Sequence, residues 1–113
     1  MITIYHKPNC NTSNRALAYL RESGKKFKII HYLEAVPTPD EIVSLLQKLG
    51  IAAEDLVRKK EPLFKEKFSR KKYNDREWID ILHQNPILME RPVLVKRTRA
   101  IIARPPEILL KWI

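Results

Sequence analysis

An α/β fold around a four-stranded mixed sheet, with a helical segment inserted after the second strand, is the architecture this sequence predicts. Three observations carry it. Residues 1–32 read as strand, capped helix, strand. Residues 91–113 read as strand, turn, strand, helix. The stretch between holds two helix-start signals and no alternating strand pattern.

Taken in order, Ile2-Thr-Ile-Tyr-His6 alternates and is rich in β-formers, which predicts the first strand. Asn11-Thr12-Ser13-Asn14 is a cluster of capping residues, Ala16, Leu17 and Leu20 follow at helical spacing, and Gly24 closes the helix. Phe27 to Tyr32 is the second strand. A helix between two strands predicts that they run parallel, joined by a right-handed crossover.

Thr38 then offers an N-cap, Pro39 the first helical position and Glu41 a capping box, with Ile42, Leu45, Leu46 and Leu49 as the buried stripe and Gly50 as the stop. Residues 52–68 look helical but irregular, broken at Pro62. Asn74 to Glu77 starts another helix, carrying Trp78, Ile79, Ile81 and Leu82, and Pro86 ends it. Val93 to Val95 is the third strand, and "KRTR" turns the chain without the glycine such a turn prefers. Ala100 to Ala103 is the fourth strand and "RPPEILLKWI" a terminal helix. His31, Tyr32 and Trp78 are assigned to packing. This order is that of one thioredoxin-like domain over residues 1–113, its helical insertion spanning about 38–85.

At 113 residues the chain can bury a core without staples, and 44% hydrophobic content argues against disorder. One cysteine forms no internal disulfide, which suits a reducing compartment. No secretory pattern opens the chain and no apolar run approaches the roughly 20 residues of a membrane span, so the expectation is a soluble cytoplasmic protein. Lys and Arg number 22 against 13 Asp and Glu, a net charge of +9. That balance favours anionic partners: nucleic acid, acidic lipid, small oxyanions or glutathione. Eight cationic residues against two acidic ones fall between Arg58 and Lys72, which by itself reads as a solvated face. No helix-turn-helix or aromatic-and-basic pattern accompanies the charge, which argues against direct nucleic-acid binding.

Cys10 stands where the first strand gives way to helix-opening residues. A lone cysteine is by default a small buried hydrophobe, but this position is special. Free N–H groups and the helix dipole at a helix start stabilise a thiolate, and the same groups cradle an oxyanion. His6 and Lys7 are candidate cationic neighbours, and Pro8 stiffens the approach. Spacing excludes two chemistries. The fourth position of a Cys-x-x-Cys motif is Ser13, so there is no internal resolving thiol, and a Cys-x5-Arg loop fails because position 16 is alanine. No pair of histidines or carboxylates sits at metal-ligand spacing with this cysteine, so no metal is expected. What remains is a lone nucleophile that takes its second thiol from outside.

"ITIYHKPNCNTSNRAL", "IIHYLEAVPTPDEI", "LVRKKEP", "NPILMERPVLV" and "ARPPEIL", in that order, resemble the glutaredoxin-linked arsenate reductases over nearly the whole chain. The resemblance implies that Cys10 attacks arsenate while Arg58, Arg91 and Arg104 hold the oxyanion. Guanidinium groups suit that task because they bind tetrahedral oxyanions bidentately and disperse developing charge. His6, Asn11, Thr12, Ser13 and Pro92 would support the site, Pro92 resembling the cis-proline that such folds place beside the reactive cysteine. Asn11 stands where the family has a loop glycine, and Ser13-Asn14-Arg15 where it often has Ser-Arg-Asn. The implied reaction needs no bound cofactor, with glutathione as co-substrate and glutaredoxin as reducing partner. Two alternatives share the fold: a glutathione-dependent thiol reductase, and a non-enzymatic regulator resembling the Spx-type proteins that bind RNA polymerase. Ser13 and Arg104 argue against the second, which usually carries Cys-x-x-Cys and lacks that arginine.

Overall fold

A computed structural model describes all 113 residues. The chain divides into two compact units, Met1–Ala35 with Arg91–Ile113, and Val36–Glu90.

The first unit is built on a four-stranded sheet in the order β2-β1-β3-β4. The strands are β1 (Ile2–His6), β2 (Phe27–His31), β3 (Val93–Lys96) and β4 (Arg99–Ile102). β1 runs parallel to β2 and antiparallel to β3, and β4 is antiparallel to β3, which gives the mixed sheet expected. Alternation in β1 turns Ile2, Ile4 and His6 to the buried side. Against Ile2, Ile4 and Leu94 lies the apolar face of α1 (Asn11–Ser23), through Ala16, Leu17 and Leu20, and Ala103 and Leu109 complete this core. Gly24 ends α1 at φ +72°, the left-handed cap for which glycine is suited.

Three boundaries move from those expected, each for a local reason. β2 stops at His31, and Tyr32 begins a turn while remaining fully buried. His31 is exposed rather than packed away, its ring set edge-on to that of His6 at 5.9 Å. The terminal helix shrinks to α4 (Leu109–Trp112) behind a 3-10 turn, Pro106–Ile108. Pro105 and Pro106 lack the N–H groups that a longer helix would order. The β3–β4 turn is Arg97-Thr98, with Arg97 at φ +56° where glycine is expected.

In the second unit α2 (Pro39–Leu49) and α3 (Asp75–Gln84) pack together. Both begin with the capping boxes read from sequence, Thr38 with Glu41 and Asn74 with Glu77. Ile42, Leu45 and Leu46 are buried as expected, while Leu49 is half-buried. The irregular stretch resolves into a 3-10 turn, Ala53–Leu56, an antiparallel bridge between Val57 and Met89, and a π-helical turn, Phe64–Phe68. Phe64, Phe68 and Tyr73 surround Trp78, which is buried as packing requires. No helix in the chain is long and apolar enough to cross a membrane.

Candidate active site

Strand register brings three chain segments to one end of the sheet. Tyr5 pairs with Val93, and Val93 with Ile102, so the loop leaving β1, the residues entering β3 and those leaving β4 lie side by side. The first carries Cys10, the second Arg91 and Pro92, the third Arg104.

Cys10 is the N-cap of α1, in extended conformation (φ −111°, ψ 119°), and its side chain makes no capping hydrogen bond. The thiol therefore stands at the end of α1 where the first helical turn leaves N–H groups unpaired. Burial is the largest single influence on the thiol and raises its pKa. The Ser13 N–H, the Arg91 guanidinium and the Thr12 N–H oppose it and together prevail, so the thiol titrates below its ordinary value. The helix start and one arginine thus favour the thiolate over the thiol more than an ordinary cysteine environment does.

Five hydrogen bonds fix the chain around Cys10. Cys10 N–H donates to the Lys7 carbonyl at 3.1 Å, and Asn14 N–H donates to the Cys10 carbonyl at 2.9 Å. The Asn14 side-chain amide donates to the Pro8 carbonyl at 2.7 Å. Ser13 Oγ accepts from Lys7 N–H at 3.1 Å and lies 2.6 Å from His6 Nδ1. Ser13 is fully buried and His6 nearly so. Burial, then the charges of His31 and Arg21, lowers the His6 pKa. His6 is therefore a neutral ring near pH 7, not the cationic neighbour expected, and the arrangement that satisfies both groups has the Ser13 hydroxyl donating to Nδ1. Its place is as an anchor for Ser13, one step removed from the sulfur.

Two outcomes follow from this anchor. Ser13→Ala leaves Nδ1 and the Lys7 amide without their buried partner, and should cost about 1–3 kcal/mol in urea unfolding. Protonation of His6 is easier in the unfolded chain, whose imidazole titrates near 6.5. The stability it contributes is complete above that pH and is lost as pH falls from there through the lower folded value. Unfolding midpoints between pH 8 and 5 should fall more steeply for the natural protein than for His6→Asn.

Arg91 is 6% exposed and joined to Pro92 by a cis peptide bond. Its carbonyl accepts from Arg104 Nη1 at 2.9 Å, and the Pro92 carbonyl accepts from Ala103 N–H at 2.9 Å. Arg104, half-buried, thus sits against the backbone of Arg91. Asn11 is exposed as the first residue of α1, and the only non-glycine residue with positive φ is Arg97, so position 11 does not need a glycine's freedom. Arg58 belongs to the Val36–Glu90 unit, where Nε lies 3.5 Å from Glu61 and Nη1 3.9 Å from Glu90.

Two residues acquire places that their sequence signal did not reveal. Asn14 clamps the loop as described. Arg15 pairs with Glu107, which also accepts from the Tyr19 hydroxyl at 3.2 Å, tying α1 to the turn before α4. An asparagine four residues after the cysteine was the only available hint of the first. The second depends on residues 92 positions apart.

A mixed four-stranded sheet with a thiol at the start of its first helix and a cis-proline facing that end defines a protein of the thioredoxin-like class. Within it, the chain belongs to the ArsC family, which it matches over residues 5–112. It is 42% identical over 111 residues to an arsenate reductase of Escherichia coli K12, covering 97% of this chain and 79% of that one. To an arsenate reductase of Acidiphilium multivorum it is 41% identical over 110 residues, covering 96% and 78%. Among solved structures, an arsenate reductase from Vibrio cholerae superposes with a TM-score of 0.92 at 34% identity, covering 99% of this chain and 97% of that one.

Proposed function

We propose that this protein reduces arsenate, with Cys10 as its only nucleophile and glutathione and glutaredoxin as the source of electrons. The observation that carries the reading is the Cys10 thiol at the start of α1, beside Arg91, where two helix-start N–H groups and that guanidinium lower its pKa, in a chain of the ArsC family. The thiolate attacks arsenic and expels water or hydroxide, forming a sulfur–arsenic bond. Glutathione then supplies the second thiol. Two sulfurs become a disulfide, the two electrons they give up take arsenic from +5 to +3, and arsenite leaves. Glutaredoxin reduces the mixed disulfide on Cys10 and returns the thiol. Arg91 and Arg104 disperse charge on the oxyanion, and the family resemblance assigns Arg58 to the same step. Ser13 at the fourth position is why the second thiol comes from outside. A reducing cytoplasm suits this cycle.

The test is NADPH oxidation by purified protein with glutathione, glutaredoxin and glutathione reductase. Oxidation that depends on arsenate supports the reading. A Cys10–glutathione mixed disulfide forming without arsenate, and no arsenate-dependent turnover, would instead identify a thiol reductase of other substrates.

A further inference from the structure

The register that gathers Cys10, Arg91 and Arg104 at one end of the sheet gathers a second set of residues at the other. Ile2 pairs with Phe27 and Lys96, and Lys96 with Arg99, so the start of β1, the approach to β2 and the β3–β4 turn meet there. They enclose a cleft of about 500 Å³ whose lining includes Lys25, Lys26, Lys96, Arg97, Thr98 and Arg99. Five of those residues are cationic, and no carboxylate lines the cleft. None of the five is paired with a side-chain carboxylate in the salt bridges, which belong to Arg15, Arg58 and Lys59, although Lys96 Nζ lies 5.9 Å from the centre of the Trp112 ring. Lys25 and Lys96 instead both direct Nζ at the backbone oxygen of Ile113, at 2.5 and 3.3 Å.

We propose that this cleft binds a compact polyphosphate, at a site separate from the thiol. Five like charges facing one concavity repel each other until an anion of comparable charge enters. A single phosphate would leave most of that charge unmatched, whereas a triphosphate would nearly balance it. The volume is that of a small-molecule site. The turn points the same way. Arg97 holds φ +56°, a conformation that disfavours any residue with a Cβ, yet the position carries arginine, whose side chain lines the cleft. The lining holds no aromatic ring, and the adjacent Trp112 ring is already faced by Lys96 Nζ at 5.9 Å, so an open platform on which single-stranded nucleic acids stack is missing, and phosphate is the group recognised. The strand between the cleft and His6 spans about 13 Å, which keeps the two sites apart.

The experiment is a calorimetric titration of the full chain with sodium tripolyphosphate in 150 mM salt, with amide chemical-shift mapping in parallel. One-to-one binding is expected, with shifts centred on Lys25, Lys26 and residues 96–99 and none over residues 7–12. Lys25→Ala combined with Arg99→Ala should weaken binding about tenfold or more, whereas Arg70→Ala with Lys72→Ala removes the same charge elsewhere and should leave it unchanged. Arg97→Gly should weaken binding while raising the thermal midpoint, which separates loss of the ligand group from loss of the fold. ATP binding as tightly as tripolyphosphate would identify a nucleotide as the source, and much weaker binding a free polyphosphate. Equal losses in the two double variants, or shifts centred on the Cys10 loop, would overturn the proposal.

Discussion

Cys10→Ser is expected to lower arsenate-dependent turnover by about a thousandfold or more while the protein folds as well as before. A serine hydroxyl at this position is far from ionised at neutral pH and cannot take the place of a thiolate as nucleophile. The stability side follows from the capping geometry. Cys10 occupies an N-cap and makes no side-chain hydrogen bond there, whereas serine is among the preferred N-cap residues. The variant should therefore unfold at an equal or higher urea concentration. Such a gain, alongside lost turnover, would show that cysteine is retained here for chemistry at the expense of the helix. Residual turnover within tenfold of the natural protein would remove Cys10 from the mechanism.

Arg91→Ala should have the next largest effect, lowering kcat/KM about 10²–10³-fold. Two separate losses contribute. The thiol loses a hydrogen-bond donor and a positive charge, both of which lower its pKa, so the midpoint of Cys10 alkylation against pH should move upward. On the proposed mechanism the oxyanion also loses a guanidinium partner. Arg91→Lys separates them: it keeps the charge and part of the thiol shift, but not the planar fork, so alkylation should recover more than turnover. An alkylation profile unmoved by Arg91→Ala would mean that the guanidinium does not act on the sulfur. Protection of Cys10 from alkylation by arsenate or sulfate, lost in the same variant, provides a second readout.

Much of this was legible before any coordinates because it is written locally. The boxes at Thr38 and Asn74 need only four consecutive residues, and both form as read. The parallel pairing of β1 with β2 follows from one intervening helix. Cys10 could be placed at a helix start from the polar cluster after it. What escaped depends on contacts distant in sequence or on conformations that composition does not advertise. Position alone makes His6 a candidate cationic neighbour of Cys10; its burial and its Ser13 partner, which make it a neutral anchor, depend on the folded chain. The π-helical turn at Phe64–Phe68 gathers rings around Trp78, and no period announces it. "RPPEILLKWI" predicts one terminal helix, but Pro105 and Pro106 withhold backbone donors from its first turn, and the structure has a 3-10 turn before a single helical turn.

The open sheet has a consequence for how copies of the chain meet. β2 and β4 are its margins, and each leaves one row of backbone groups without a neighbouring strand. Such margins invite edge-to-edge pairing unless something repels the newcomer. Here Lys28 stands exposed on one margin and Arg99 on the other, in a chain carrying net charge +9. Two copies approaching edge to edge therefore meet like charge before they can share a hydrogen bond. That repulsion fades over about 8 Å at physiological ionic strength, so concentrated salt is the condition under which this protein should first self-associate.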